Sequence, residues 1–310
     1  MDKLSMLIKL SNLCLLAILP FVLLGMINRV KARWAGRQGP AVWQPWYDFV
    51  KLMRKGEVIS TTSSLVFRIA PTIACAAVLL AGLLTPILKG QAVLSFEADL
   101  IVFAYILALG KFFTIIGAMD TGSSFEGMGA SREATFSTLV EPAFLIILAS
   151  LSLYSGVSSF QNILAAAHHP TEISALVLIL SVIPLFIMLL AEGCRVPVDD
   201  PNTHLELTMI HEVMVLDNSG PDLGFILYAS GLKMVLIGAL IANLCLSPEL
   251  PLVFALLGFL GIQFLLAVCI GTIESVLARL RMTHIPQFLL FMTSIGFVLL
   301  SIIVINLSGR

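Results

Sequence analysis

The chain has 310 residues, of which 58% are hydrophobic and 12% are charged, with a mean hydropathy of +1.01 and a formal net charge of −1. Soluble domains carry roughly 25% charged residues, so this composition predicts an integral membrane protein. A net charge near zero argues against nucleic-acid binding. Five single cysteines without a Cys-x-x-Cys pair argue against an iron–sulfur, zinc or disulfide framework.

Eight apolar stretches are each long enough to cross a membrane, which takes about 20 residues. No stretch alternates in the way that barrel strands do, and the first lacks a cleavage site and is interpreted as a retained helix. We therefore predict an all-α, polytopic membrane protein with one membrane domain over residues 1–310. The predicted spans are 4–27, 66–88, 98–119, 137–157, 173–192, 223–246, 250–271 and 286–307.

Basic residues predict the orientation of the chain, because cytoplasmic connections are enriched in Lys and Arg. The even-numbered connections carry only Lys89, whereas the odd-numbered ones carry many basic residues; Lys3 and Lys9 argue weakly for the opposite orientation. We expect both termini on the periplasmic side of a bacterial or archaeal cytoplasmic membrane. The predicted cytoplasmic connections are 28–65, 120–136, 193–222 and 272–285.

The first of these connections contains a predicted amphipathic helix that starts near Gln44. Its apolar side chains have helical spacing, and charged side chains lie between them. Two interpretations stay open: an anchor on the membrane surface, or a docking ledge for a soluble partner. The candidate docking residues here and in the seventh connection are Arg37, Trp46, Asp48, Lys51, Lys55, Arg279 and Arg281.

Charged residues also occur within the apolar stretches. Lys111 and Lys233 lie deep in their spans and need partners of opposite charge, which glutamates on neighbouring helices can provide. Glu274 ends the seventh span, where a charge at the membrane interface is an equally good interpretation. Paired lysines and glutamates can hold water and exchange protons, which favours a lateral proton or ion path.

The connection 120–136 is interpreted as a flexible turn, because it contains three glycines. The connection 193–222 is rich in carboxylates, and two prolines interrupt any helix at its start. His204 and His211 are interpreted as hydrogen-bonded or protonation-active histidines; no HExxH motif is present, and no metal site is predicted. The candidate ion-path residues are Glu141, Glu192, Asp199, Glu206, Glu212, Asp217, Lys111, Lys233, Arg195, Asp120, Glu133 and Arg132.

Several short motifs, in this order and orientation, resemble one family over essentially the whole chain. This is the eight-helix membrane subunit shared by respiratory complex I and the membrane-bound group 4 nickel–iron hydrogenases, including formate hydrogenlyase. The motifs are Arg37-x-Gly39-Pro40, Gln44 with Asp48-x-x-Lys51-Leu and Lys55, Phe67-x-x-Ala70-Pro71, Gly129-Ala-Ser-Arg132-Glu133, Glu141-Pro142, Glu192-x-x-Arg195-x-Pro197-x-Asp199 with Glu206-Leu207, and Arg279-x-Arg281 before Pro286.

Two details separate the branches of this family. The run from Asp120 to Glu133 resembles the hydrogenase branch more than the quinone-reducing branch. His204 stands where the family usually has an acidic residue. The resemblance therefore implies a subunit of a formate hydrogenlyase or group 4 hydrogenase-like complex.

Such a subunit is not itself catalytic. It anchors the soluble electron-transfer arm and links it to antiporter-like membrane subunits, and it moves protons or ions through acidic residues. The resemblance implies no cofactor in this chain. It places iron–sulfur clusters and a nickel–iron centre in hydrogenase-like large and small subunits. The alternatives are a quinone-binding complex I-type subunit and, from another class, a stand-alone secondary ion transporter.

Overall fold

The computed structural model describes residues 3–168, 173–199 and 209–308, and it is almost entirely helical. Eight of its helices are long and apolar enough to span a membrane, which confirms the predicted all-α polytopic fold. They are α1 (Lys3–Trp34), α3 (Leu65–Leu84), α4 (Asp99–Asp120), α5 (Ser124–Ser155), α7 (Ser174–Glu192), α9 (Gly220–Cys245), α10 (Leu252–Val276) and α11 (Ile285–Ser308).

Three shorter helices lie in the connections: α2 (Gln44–Met53), α6 (Phe160–Ala167) and α8 (His211–Met214). Helix α2 confirms the amphipathic helix predicted at Gln44. It begins with Pro45 in its first turn, where a missing N–H costs nothing. Helix α6 was not anticipated, because its short sequence was assigned to a loop.

Helix α9 forms the centre of the bundle and packs against α1, α3, α7 and α10. About two thirds of its most apolar window is buried, the largest share among the spanning helices. Helix α3 pairs with α4, and α11 packs against α5 and α7. The apolar side chains that these contacts bury form one large core cluster.

The connections 35–64, 121–123 and 277–284, with the described parts of the segment 193–219, follow or precede the same ends of the spanning helices and so share one side of the bundle. We call this side the basic face. Connections 85–98 and 246–251, with the described parts of the segment 156–173, lie on the opposite face. The short segment 246–251 joins α9 to α10 as the expected hairpin.

The predicted flexible turn at 120–136 is wrong for most of its length, because α5 begins at Ser124. Of the three glycines in this segment, only Gly122 has a positive φ, of +70°, whereas Gly129 lies inside the helix. A Cβ at Gly129 would lie 2.8 Å from the carbonyl oxygen of Ile210. This glycine therefore permits close packing of α5 against the start of α8.

Candidate functional site

Lys111, midway along α4, is the centre of a group of buried charges. Its Nζ donates a hydrogen bond to Oε1 of Glu192 at the end of α7. The same Nζ lies 3.7 Å from Oε1 of Glu133 and 3.6 Å from Oε1 of Glu141, both on α5. Burying an ammonium group in a membrane bundle is costly unless carboxylates surround it, and three do so here.

Glu192 is held between two lysines. While Oε1 accepts from Lys111, its other oxygen, Oε2, lies 3.3 Å from Nζ of Lys233 on α9. The predicted pairing of span lysines with span glutamates is thus present in the structure. It joins α4, α5, α7 and α9 through side chains alone.

His211 extends this group toward the basic face. Its Nε2 lies 3.2 Å from Oε2 of Glu133, and its Nδ1 lies 3.2 Å from Oδ2 of Asp199. The same Asp199 oxygen accepts the backbone N–H of His211 at 2.9 Å. On the other side, Oδ1 of Asp199 lies 3.1 Å from Nη2 of Arg279. An unbroken series of contacts therefore leads from Arg279 to Lys111.

We call the following eight residues the charged network: Glu133, Glu141, Glu192, Asp199, Lys111, Lys233, His211 and Arg279. It contains four carboxylates and four groups that can be cationic. Its charges therefore balance when the imidazole ring of His211 carries two protons.

The pKa values at the basic-face end of the network agree with this charge state. Burial opposes a charge on His211, but the neighbouring Cys194, Glu133 and Asp199 raise its pKa well above the usual value. Burial likewise opposes the charge of Asp199, yet hydrogen bonds and positive charge from His211, together with Arg279, lower its pKa. The pair therefore favours an imidazolium beside a carboxylate.

Local turns bring these groups together. The N–H groups of Val198 and Asp199 both donate to the carbonyl of Arg195, at 3.0 and 3.1 Å, so the segment after α7 folds back on itself. Leu280 N–H donates to the carbonyl of Pro197 at 3.0 Å, which brings Arg279 alongside Asp199. The close packing at Gly129 brings α5 to α8 and so Glu133 to His211.

Arg195 takes part in a separate, buried cluster. Its Nη1 lies 3.2 Å from Oε1 of Glu274, whose Oε2 lies 2.7 Å from Nζ of Lys31. The Glu274 side chain is 0% exposed, so it is enclosed by protein and does not extend to the interface. Two cations on one carboxylate tie α1, α10 and the segment after α7 together.

A cavity of about 160 Å³ lies beside the network. Apolar side chains of α1 and α3, among them Leu24 and Val78, form part of its wall. Its polar wall includes Glu192, Arg195, Asp199, His211, Glu212 and Lys233. Since a buried water needs roughly 10–15 Å³ of such space and polar partners, the cavity can hold several waters.

Three other predicted path residues, Asp120, Arg132 and Asp217, make contacts besides those that define the charged network. Asp120 accepts the backbone N–H groups of Ser64 at 2.7 Å and Phe67 at 3.1 Å, and so caps the start of α3. Arg132 donates to the carbonyl of Met209 at 2.9 Å. Asp217 is exposed, and its N–H donates to Glu126. Glu206 and His204 lie outside the described residues.

The predicted docking residues divide into two groups. Arg37, Trp46, Asp48, Lys51, Lys55 and Arg281 are all exposed on the basic face, as a docking surface requires. Arg279, by contrast, is engaged with Asp199 and belongs to the charged network. Helix α2 packs onto the bundle through an aromatic cluster of Phe21, Trp46, Phe49 and Tyr228.

Two network residues were not predicted as path residues: Arg279, which was assigned to docking, and His211, which was considered as a protonation-active histidine. The two carboxylate neighbours of His211 are remote in sequence, on α5 and in the segment after α7. The available signal was its place in a carboxylate-rich segment, since a histidine among buried acids tends to hold a proton.

Comparison with known proteins agrees with the motifs. Residues 7–306 match the family model described as NADH dehydrogenase. The chain belongs to the NADH dehydrogenase family. Within it, hydrogenase-4 component C of Escherichia coli is 32% identical over 240 residues, covering 76% of this chain and 74% of that protein.

Two further relatives come from a formate hydrogenlyase and from an NADH-quinone oxidoreductase. Formate hydrogenlyase subunit 4 of Escherichia coli is 30% identical, covering 73% of this chain and 72% of its own length. A subunit of the NADH-quinone oxidoreductase of Rickettsia canadensis is 27% identical, covering 69% of this chain and 65% of its own length.

A solved structure shares the fold. A chain of the membrane-bound sulfane sulfur reductase, an archaeal respiratory membrane complex, superposes with a TM-score of 0.79. The match covers 96% of this chain and 99% of the other, at 22% sequence identity. The first two of these relatives are named as a component and a subunit, and the solved structure is a respiratory membrane complex.

Proposed function

We propose that this chain is the membrane-anchor and ion-coupling subunit of a formate hydrogenlyase or group 4 hydrogenase-like complex in a bacterial or archaeal cytoplasmic membrane. It catalyses no redox step itself. Hydrogenase-like large and small subunits dock on its basic face and carry the iron–sulfur and nickel–iron centres, while antiporter-like subunits adjoin it in the membrane.

The observation that carries this proposal is the charged network. It begins at Arg279 and Asp199 on the basic face, below the surface where a soluble arm would dock. It ends at Glu141, whose side chain is 42% exposed on the outside of α5. A carboxylate facing lipid is costly, so an adjoining membrane subunit at this position would both cover Glu141 and receive its proton.

The higher identity to the two hydrogenase-type subunits supports this branch over the quinone-reducing one. The relatives are named as components or subunits of complexes, which also favours a complex subunit over a stand-alone transporter for this chain. The exposed cations at the end of helix α2, Lys51, Arg54 and Lys55, support the docking role, because charged rims guide the association of soluble partners.

The test uses inverted membrane vesicles that contain the intact complex. Glu141→Gln should leave assembly and formate-dependent hydrogen evolution in place but abolish ion uptake, because the neutral amide cannot carry a proton. Glu249→Gln is the matched control, since Glu249 is an exposed carboxylate on the opposite face. Unchanged ion uptake per hydrogen in Glu141→Gln would show that the proposed path is wrong.

The cavity favours a second candidate, a quinone-binding subunit of the complex I type. It has apolar walls and a polar end that includes Arg195 and His211, as a site for a lipophilic carbonyl compound would need. Quinone-dependent turnover of the purified complex, lost when Ala229 in the cavity wall is replaced by Trp, would support this candidate against the first.

A further inference from the structure

We infer that His211 is the residue that carries a proton from the cavity at the basic face to Glu133 and thus into the membrane part of the charged network. This inference rests on the proposed ion-coupling function and names the group that regulates access to the path. It is based first on geometry, because both ring nitrogens of His211 face carboxylate oxygens at 3.2 Å.

A neutral imidazole has one N–H and one lone pair, so it can donate to only one of two carboxylates. The other nitrogen would then direct its lone pair at a negative oxygen. Donation to both Glu133 and Asp199 requires the imidazolium form. The arrangement therefore binds one proton at His211 as long as both neighbours are ionised.

The two carboxylates differ in their surroundings. Asp199 is further paired with Arg279 at 3.1 Å and accepts the backbone N–H groups of Ile210 and His211 at 3.3 and 2.9 Å. These donors hold it as an anion. Within the described part of the chain, Glu133 has a hydroxyl donor, Ser137 at 3.3 Å, beside the more distant Lys111. Of the two, Glu133 is the better proton acceptor.

The transfer step follows from these contacts. The Nε2–H bond breaks as the proton moves to Oε2 of Glu133, which leaves a neutral imidazole and a neutral carboxyl. The Nδ1–H of the ring remains hydrogen-bonded to Oδ2 of Asp199 and so preserves its orientation. Once Glu133 has released this proton further into the network, a hydronium ion in the cavity, which His211 lines, protonates Nε2 and becomes water.

The other charged groups around His211 come from every neighbouring element. Both negative and positive groups act on the imidazole ring. Whether His211 holds its second proton therefore depends on the charges of the other groups in the network. The facing titratable or charged groups are Glu133 on α5, Glu192 on α7, Cys194, Asp199 and Arg279 in the connections, Lys111 on α4, Lys233 on α9 and Glu212 on α8 itself.

The decisive variant is His211→Arg in the intact complex. Arginine keeps a permanent positive charge between the two carboxylates but does not release a proton. We expect assembly and electron transfer to persist and ion movement per turnover to be lost. His211→Gln keeps polar contacts without the charge, and it should also lose ion movement per turnover. His284→Gln is the control, since the His284 ring is hydrogen-bonded to Gln287 at the surface.

The pH profile of the wild-type complex gives an independent reading that needs no variant. Ions moved per turnover should fall as pH rises from 6.5 through the raised pKa of His211 and the imidazolium is lost. If the number of ions moved per turnover stays constant over this pH range, or if His211→Arg retains full ion movement, the proposed role of His211 is wrong. Absence of any ion movement in the wild type would instead overturn the proposed function.

Discussion

The two ends of the bundle bury polar groups in different ways. At the basic face and in the middle of the membrane, lysines, glutamates, Asp199 and His211 are paired with one another. At the opposite face, two asparagines bind backbone. Asn12 of α1 and Asn243 of α9 hold the turn 86–91 by hydrogen bonds to its carbonyl and N–H groups.

This difference separates a part in which buried charges face one another from a part in which buried polar groups, including Asp99, bind backbone and hydroxyl groups. Amide side chains do not titrate, so the turn 86–91 is a fixed closure of the bundle at that end. The ionisable groups of the charged network lie on the side where the cavity and the docking surface are. A path that starts at the basic face and ends at Glu141 leaves sideways through α4 and α5 and avoids the opposite face.

The largest expected effect comes from removing the shared cation with Lys111→Met. Glu192, Glu133 and Glu141 would lose their common partner, and breaking a buried pair costs about 3–5 kcal/mol. The amount of chain in membranes and its thermal unfolding in detergent would measure this loss. Lys111→Arg retains the charge and should recover most of the stability. A destabilisation below about 1 kcal/mol would contradict the pairing.

On the opposite face, Asn243→Leu should destabilise the chain by a comparable amount. Its Nδ2 donates to Pro86 and Ile87 carbonyls at 2.8 and 3.2 Å, and its Oδ1 accepts from Gly90 N–H at 3.1 Å. Each buried group left unsatisfied costs about 1–3 kcal/mol.

A second measurement on Asn243→Leu, of ion movement, tests the contrast between the two ends. Ion movement per turnover by the complexes that still assemble should equal that of the wild type. If Asn243→Leu uncouples the assembled complex, then the opposite face is part of the path and the two ends do not differ in function.

Much of the contrast could be read from the sequence. Each spanning helix is an apolar stretch of sufficient length, and α2 follows from the spacing of Trp46, Phe49 and Met53. The lysines and glutamates inside spans signalled a charged network because they cannot remain unpaired in a bundle. The sequence also identified Asp199 and Glu133 as candidates on the basic side.

What the sequence could not supply is which residues meet. Arg279 was assigned to docking because exposed basic residues and buried ones look alike in a connection. Gly129 was interpreted as flexible, although its small size serves close packing against Ile210. His211 was left off the path because its role depends on two carboxylates remote in sequence, and only the folded backbone sets their distances.

A pH titration of stability would sharpen the assignment of charge at the basic face. The folded-state pKa of His211 is raised, so its stabilising contribution is complete below about 6.5 and is lost as pH rises through the folded value. Asp199 has a lowered pKa, so its contribution is present above about 3.9 and is lost as pH falls further.

The measurement compares thermal unfolding of the wild type and His211→Gln in detergent across this range. The difference between them should be largest at mildly acidic pH and shrink at alkaline pH. A difference that grows with pH would mean that His211 is neutral in the folded chain and that the network is not balanced by an imidazolium.

The smallest effect on stability is expected at the surface of α2. Lys51 and Lys55 are exposed, so replacing both by Glu should change the free energy of unfolding by no more than about 0.5 kcal/mol. If the basic face docks the soluble arm, the same double variant should weaken attachment of that arm to membranes, most at low ionic strength, because like charges then face the partner. Lys89→Glu places a single charge reversal on the opposite face and should leave attachment unchanged. If both variants lose the arm equally, the effect comes from overall charge and not from docking at α2. If neither loses it, α2 is an anchor on the lipid surface.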